Sequence, residues 1–318
     1  LDPGGPHGIL QRNKPLRFLE RSFARLMISV FAISLLSAPL AVAWLAFVTA
    51  SSPDVLRGIL FAAVVATWVW PRHVPMLECV PRWRGFILWR SFFKFTVVSE
   101  SPSLSRQEDP THPYLLAEGP HGLFPTGAWL EQTLVHSISK DGDQIERGVY
   151  GDRRIYCAVA DAITILPWWR DVFGFMGATS ASRGNLERLF RKSFNVCIYP
   201  GGVAELAIPD HPNTENLYLK SRKGFLRLAL TQGIDVVPVY HFGSTQVFRQ
   251  VHWGPLGAIS RKLRTACFIL IPWVFQQRVI CVLGNPIRIG KVQSPTQEQI
   301  DDLQDRKSTR LNSSHGKL

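Results

Sequence analysis

Residues 26–50, LMISVFAISLLSAPLAVAWLAFVTA, form an apolar run of 25 positions without a charge. That exceeds the ~20 residues a helix needs to cross a bilayer core. A second apolar run, GILFAAVVATWVW at 58–70, follows the short polar connector SSPDVLR. It is too short to span comfortably, so the pair predicts a helical hairpin embedded in a membrane rather than two full crossings. A signal peptide or a buried core helix is the plainer alternative. Beyond residue 110 the pattern changes. Short apolar runs, PYLLAE (113–118), IYCAVA (155–160), FNVCIY (194–199), DVVPVY (235–240) and VICVLG (279–284), alternate with amphipathic stretches. The latter predict helices near 122–137, 183–193, 221–232 and 296–304. Strands alternating with helices predict an α/β sheet layered with helices. The stretch 257–275 is apolar toward its end and fits a core helix, a lid or a membrane-contacting helix.

Charge refines this picture. The net charge of +12 by itself suggests a nucleic-acid partner, but its distribution argues against one. Residues 1–25 carry +3, 26–70 carry zero, 71–106 carry +4 and 306–318 carry +4, whereas 107–305 hold 20 basic and 19 acidic groups. Positive charge brackets the apolar hairpin, and the positive-inside rule places both flanks in the cytosol. Trp68, Trp70, Trp83 and Trp89 cluster where aromatic rings suit a membrane interface. Five widely spaced cysteines with no CxxC pair indicate reduced thiols rather than a zinc knuckle or a disulfide framework. The chain therefore divides into a basic lead (1–25), a hairpin (26–70), a cytosol-facing α/β domain (71–305) and a polar, disordered or artefactual tail (306–318).

Three blocks carry candidate chemistry. In EGPHGLF, His121 follows a predicted strand and precedes Gly122, at a strand-to-helix turn where ligands bind α/β sheets. An imidazole there can take up a proton near neutral pH, and Pro120 and Gly122 shape its approach. A structural turn histidine is the plain alternative, and the second Pro-His-Gly, at His7, reads as a bystander. In YPGGVAE, Gly201 and Gly202 turn sharply after a strand, and Glu205 projects from the sheet edge. A carboxylate so placed can fix an imidazole's tautomer and stabilise its protonated form. An ordinary surface glutamate is the alternative. In SRKGFLRLAL, Arg222 and Lys223 lie at a helix start and suit an anionic ligand, or else a solvated face.

Together these blocks resemble the diacylglycerol acyltransferase type 2 family, which includes monoacylglycerol and wax-alcohol acyltransferases. The matching segments are Gly119 to Gly122, Gly201 to Glu205, Arg222 to Phe225, Val237 to Gly243 and the SASRGNLERLF helix at 180–190, behind an N-terminal hairpin. The resemblance implies an acyltransferase-type sheet and acyl transfer from acyl-CoA to a lipid alcohol, foremost diacylglycerol; a monoacylglycerol, wax-alcohol or sterol acceptor, or a non-catalytic membrane lipid-binding protein, is the alternative. Catalytic roles would fall to His121 and Glu205, and substrate binding to Pro120, Gly122, Gly201, Gly202, Arg222 and Lys223. It implies no cofactor beyond acyl-CoA as co-substrate, no metal, no nucleic acid, a membrane partner and room for a homo-oligomer. It implies residence in the endoplasmic reticulum membrane and on lipid droplets. Gly119 replaces the family's first histidine, Ser244 stands where many members have an acid, and Thr126 stands where glycerol-phosphate acyltransferases have an aspartate.

Overall fold

The computed structural model describes residues 8–12, 18–51, 54–69, 76–77, 79–80, 83, 85–100, 111–122, 124–135, 154–165, 168–202, 205, 222–251, 269–271 and 274–315. Its strands are β1 (Gly8–Arg12), β2 (Thr96–Ser99), β3 (Tyr114–Gly119), β4 (Ile155–Val159), β5 (Ala178–Ser180), β6 (Asn195–Ile198), β7 (Asp235–Phe242), β8 (Arg249–Val251), β9 (Ile269–Ile271) and β10 (Ile280–Leu283). Its α-helices are α1 (Phe18–Ser51), α2 (Val55–Val69), α3 (Gly85–Phe92), α4 (Thr126–Val135), α5 (Asp161–Ile165), α6 (Trp169–Phe175), α7 (Arg183–Arg191), α8 (Gly224–Gln232) and α9 (Gln297–His315).

Eight strands form one sheet in the order β1-β2-β10-β7-β3-β6-β4-β5, and β8 pairs with β9 separately. The run from β5 to β7 is parallel throughout. β10 then lies antiparallel to β7. All five strands expected from the apolar runs are present. Their side chains alternate between two cores, as the period of two demands. Tyr114 and Leu116 of β3, Val237 and Val239 of β7 and Cys281 of β10 face one core with α3 and α4. Leu115, Ala117, Val196 and Val236 face the other, with α7, α8 and α9. The result is a sheet between two helical layers. Phe92, Phe93 and Phe95 are fully buried at the α3–β2 corner, each stabilising the fold by ~1.5–3 kcal/mol.

Pro238 sits within the central strand β7, where a missing N–H normally breaks a ladder. Its carbonyl accepts from Gly284 N at 2.9 Å, one residue past the last β10 pair, Leu283 with Val239. The nitrogen faces the same side as that carbonyl, so the absent donor falls where the β10 strand is already ending.

The expected hairpin is helical in both parts, as α1 and α2, which touch each other. Ala24, Ile28 and Ala32 bury one stripe of α1, whose nearest neighbour besides α2 is α3. Among the described residues no helix is long and apolar enough to cross a membrane. Two further expectations change. The apolar end of 257–275 contributes β9 rather than a helix, while 257–268 lie outside the described residues. Residues 306–315, in the tail expected to be disordered or artefactual, continue α9 to His315, with Lys307 buried over the Phe225 ring. His7 and residues 206–221 also lie outside the described residues. Cys79, Cys157, Cys197 and Cys281 are free thiols.

Gly127 of α4 tests the packing of helix on sheet. A Cβ there would overlap the His241 imidazole of β7 and lie 2.8 Å from its Cβ. Gly→Ala in a helix ordinarily stabilises by roughly 0.5–1 kcal/mol. Overpacking a buried contact costs about 1–3 kcal/mol and should win here. Gly127→Ala is therefore expected to lower the midpoint of thermal unfolding; a raised midpoint would show that α4 is not seated on His241.

Candidate active site

Parallel pairing of β3 with β6 brings the ends of two blocks to one edge of the sheet. His121 leaves β3 there, and the Tyr199–Gly202 turn leaves β6. The turn closes through Gly202 N–H donating to the Tyr199 carbonyl at 3.1 Å, and Glu205 N–H then donates to the Gly202 carbonyl at 3.1 Å. These bonds carry Glu205 back over Gly201, where any Cβ would overlap the Glu205 carboxyl. The first glycine of the block is therefore a space requirement. Gly202, at φ +53, answers a backbone requirement instead.

The expected meeting of His121 and Glu205 occurs, but through the backbone. His121 N–H donates to Glu205 Oε2 at 3.2 Å. The imidazole Nδ1 lies 2.7 Å from the Gly122 carbonyl. A carbonyl can only accept, so Nδ1 carries the proton and Nε2 carries the lone pair. The tautomer expected from Glu205 is thus set by Gly122, while Glu205 braces the loop. Gly122 holds its carbonyl in place at φ +61, and an added Cβ would come 2.9 Å from the Ser244 carbonyl oxygen. Ser244 also accepts from Gly127 N–H through its hydroxyl at 3.4 Å, so the residue standing in place of an acid joins β7 to the start of α4. Thr126 Oγ1 donates to the Phe124 carbonyl at 3.3 Å. The Gly119–Pro120 peptide is cis.

His121 is half-buried, edge-on to the Tyr199 ring with centroids 4.7 Å apart. Burial lowers its pKa below the usual 6.5, and the bond to Gly122 offsets part of that. The ring is therefore neutral and basic at physiological pH. Burial also keeps the Tyr199 phenol protonated.

Arg222 and Lys223 lie at the head of α8, which follows β6 and precedes the parallel strand β7. That connection puts them at the same end of the sheet as His121. Arg222 is exposed. Lys223 Nζ pairs with Asp301 Oδ1 of α9 at 2.5 Å, so this lysine, expected to meet an anion, already ties two helices together.

Sequence reasoning missed a buried polar cluster beside the site. Glu118, Glu131 and His241 are each no more than 2% exposed. His241 Nε2 lies 3.4 Å from Glu118 Oε2 and 3.5 Å from Glu131 Oε2, and Cys281 Sγ–H donates to Glu131 Oε2 at 3.4 Å. Burial pushes the Glu118 carboxyl up to about 8, against the pull of Tyr199 and Cys197. The one sequence signal was a charged residue inside the apolar run PYLLAE. Separately, a cleft of about 760 Å³ lined by Tyr156, Asp161, Arg170, Asn185, Arg188 and others lies at the β4–β5 side; His121, Tyr199 and Glu205 do not line it.

A neutral imidazole with a tied Nδ1, at the carboxyl end of a parallel strand, is able to accept a proton. The family described as Diacylglycerol acyltransferase matches residues 81–314, and the chain belongs to it. It is 28% identical over 240 residues to diacylglycerol O-acyltransferase 2 of Dictyostelium discoideum, covering 69% of each chain. It is 27% identical over 256 residues to 2-acylglycerol O-acyltransferase 1 of Mus musculus, covering 74% of this chain and 70% of the other. Among solved structures, the 1-acyl-sn-glycerophosphate acyltransferase of Thermotoga maritima superposes with a TM-score of 0.44 at 12% identity, over 95% of this chain and 99% of the other.

The two glycines of the turn should separate in a mutational test. Gly201→Ala is expected to displace the flexible Glu205 side chain from His121 N–H at little cost in stability, with acyl transfer falling further than in Gly202→Ala. At Gly202 the nearest atom to an added Cβ is 4.0 Å away, leaving backbone strain alone. Equal activity in the two variants would separate Glu205 from the loop's function. A pH profile tests the histidine. The basic form is present above the folded pKa and lost as pH falls through it. The acid limb of kcat/KM is therefore expected below 6.5, and a limb above that value would contradict the buried, neutral ring.

Proposed function

We propose that the protein transfers a fatty acyl group from acyl-CoA to diacylglycerol, forming triacylglycerol. The observation that carries this reading is the His121 Nδ1 bond to the Gly122 carbonyl, which leaves Nε2 as the base. His121 Nε2 removes the proton from the lipid hydroxyl as its oxygen attacks the thioester carbonyl. The C–O bond forms, the C–S bond breaks, and the imidazolium returns its proton to the departing thiolate. Base assistance of this kind contributes ~10²–10⁴-fold. Glu205, through the His121 amide, holds the loop in register with the reacting atoms. Of the backbone donors in reach of a developing oxyanion, Gly202 N–H is engaged in its own turn. The N–H groups of Gly122 and Gly201 are the proposed donors.

Arg222 is the group proposed to meet the CoA phosphates; Lys223 would first have to leave Asp301. Membrane attachment through the N-terminal helices is supported by Leu40, Trp44 and Phe47 on α1 and by Leu56, Ile59 and Leu60 on α2, all exposed to solvent. An apolar lining that includes Phe31, Trp89, Trp129 and Phe248 runs from α1 to Phe124, just after His121. It encloses only about 20 Å³, so it packs α1 tightly against the α3–α4 layer. In a cell the reading places the protein at the endoplasmic reticulum membrane and on lipid droplets, with the α/β domain facing the cytosol. A monoacylglycerol acceptor is the second reading. It is favoured by the similarity to the 2-acylglycerol O-acyltransferase, which nearly equals that to the diacylglycerol enzyme.

Expression in cells unable to make storage lipid, followed by neutral-lipid analysis and a panel of acceptors with one labelled acyl-CoA, distinguishes the two. His121→Ala is expected to lose ~10²–10⁴-fold in kcat while remaining membrane-bound. Glu205→Gln should reduce kcat more than it changes KM, whereas Arg222→Ala should raise KM for acyl-CoA with kcat held. Unchanged turnover in His121→Ala would sink the mechanism.

A further inference from the structure

The buried cluster beside the active site plays no part in the proposed transfer. Its members come from four separate places in the chain: Glu118 at the end of β3, Glu131 in α4, His241 near the end of β7 and Cys281 in β10. Sheet register explains why they meet. Cys281 pairs directly with His241, and Glu118 pairs with Val239, so all three side chains leave the same face. α4 covers that face and brings Glu131 down onto it. Gly127 of α4 supplies the room that the His241 ring fills.

We propose that Glu131, His241 and Cys281 bind a divalent transition metal of the zinc type, and that the Glu118 carboxyl, 3.4 Å from His241 Nε2, turns toward them to complete the set. One oxygen, nitrogen or sulfur from each of Glu131, His241 and Cys281 lies within 4.8 Å of the others. The Nε2–Oε2 separation is 3.5 Å for His241 and Glu131 and 3.4 Å for His241 and Glu118; the Sγ–Oε2 separation is 3.4 Å for Cys281 and Glu131. Ligands at ~2.0–2.3 Å in a tetrahedron stand about 3.3–3.7 Å apart, which matches the separations of His241 and Cys281 from Glu131, while Glu118 would close the set by a side-chain movement. The mixed thiolate, imidazole and carboxylate set favours zinc over magnesium or calcium, which prefer oxygen alone.

Charge points the same way. Two carboxyl groups stand within reach of one imidazole at almost complete burial. Glu118 Oε2 accepts no hydrogen bond among the described residues. Buried charged groups persist when paired or bound to metal, and a divalent cation among these ligands would meet that need. The site is closed on all sides by β3, β7, β10 and α4, which is the character of a structural metal and leaves no open position for substrate. Its effect would be to join α4, which begins just after the His121 loop, to three strands of the sheet.

The test uses the full chain purified in detergent without chelator. Metal analysis is expected to find about one zinc per chain in the parent and in His121→Ala, and little in Cys281→Ser or His241→Ala. Removing the metal should lower the thermal midpoint of the parent and leave that of Cys281→Ser unchanged. Refilling the stripped parent with Co²⁺ should give the visible absorption of tetrahedral cobalt with a thiolate charge-transfer band, the latter absent in Cys281→Ser. The near-isosteric Glu131→Gln repeats the measurement should His241→Ala fail to fold. Parent protein with no more metal than Cys281→Ser, or stripped parent that yields no tetrahedral cobalt spectrum, would overturn the proposal and leave a cluster held by shared protons. Because metal content and spectra are read without acyl transfer, their outcome is independent of the proposed activity.

Discussion

The parallel pairing of β3 with β6 on one side and with β7 on the other determines where the chemically relevant side chains fall. Parallel strands place their carboxyl ends together. Residues that continue just beyond those ends, His121 after β3 and Tyr199 to Glu205 after β6, must then share one edge. The same register puts Gly119 of β3 opposite Tyr240 of β7, so the chain after β7 meets the His121 loop from the other side. Ser244 makes that contact. A slip of one residue would turn every side chain of β3 to the opposite face, moving Glu118 and Leu116 into the α8 layer. Burial of both faces forbids the slip, which makes the loop geometry robust.

Close approach is the second organising constraint. Three glycines in the site region, Gly122, Gly127 and Gly201, each leave room that a neighbour occupies: the Ser244 carbonyl, the His241 ring and the Glu205 carboxyl. At each of these points the neighbouring group packs directly against the glycine backbone. The position of the imidazole therefore depends on backbone contacts, and its tautomer on a backbone carbonyl. A carboxylate in Glu205's place acts on an N–H, which holds the loop rather than the ring.

Much of the sheet was legible because buried strands read as apolar runs bounded by turn residues. PYLLAE, IYCAVA, FNVCIY, DVVPVY and VICVLG all became strands. β5, with three residues, was too short for a pattern to register, and the four residues of β2, TVVS, lack the longer apolar run that marks β6 and β10. β9 was hidden at the end of a long apolar stretch whose length resembled a helix. A helical extension over 306–315 was hidden by its polarity, since RKSTRLNSSH shows no apolar period. At the site, His121 and Glu205 were visible because each follows a strand, His121 beside Gly122 and Glu205 three residues after Gly202. Lys223 was visible as a cation, but its partner, Asp301, lies in a helix far along the chain.

Local order is what the sequence by itself determined here: which runs extend, which coil, where the chain turns, and that an imidazole and a carboxylate each stand at a turn. These follow from side-chain periodicity and from the special backbone freedom of glycine, both of which act over a few residues. Only the tertiary structure decided which strand lies beside which. It therefore decided that Glu205 meets the His121 amide, that Gly122 sets the ring's proton, and that Glu118, Glu131, His241 and Cys281 converge out of water. Strand pairing depends on the burial of whole faces and on contacts between distant segments, so no short stretch contains it.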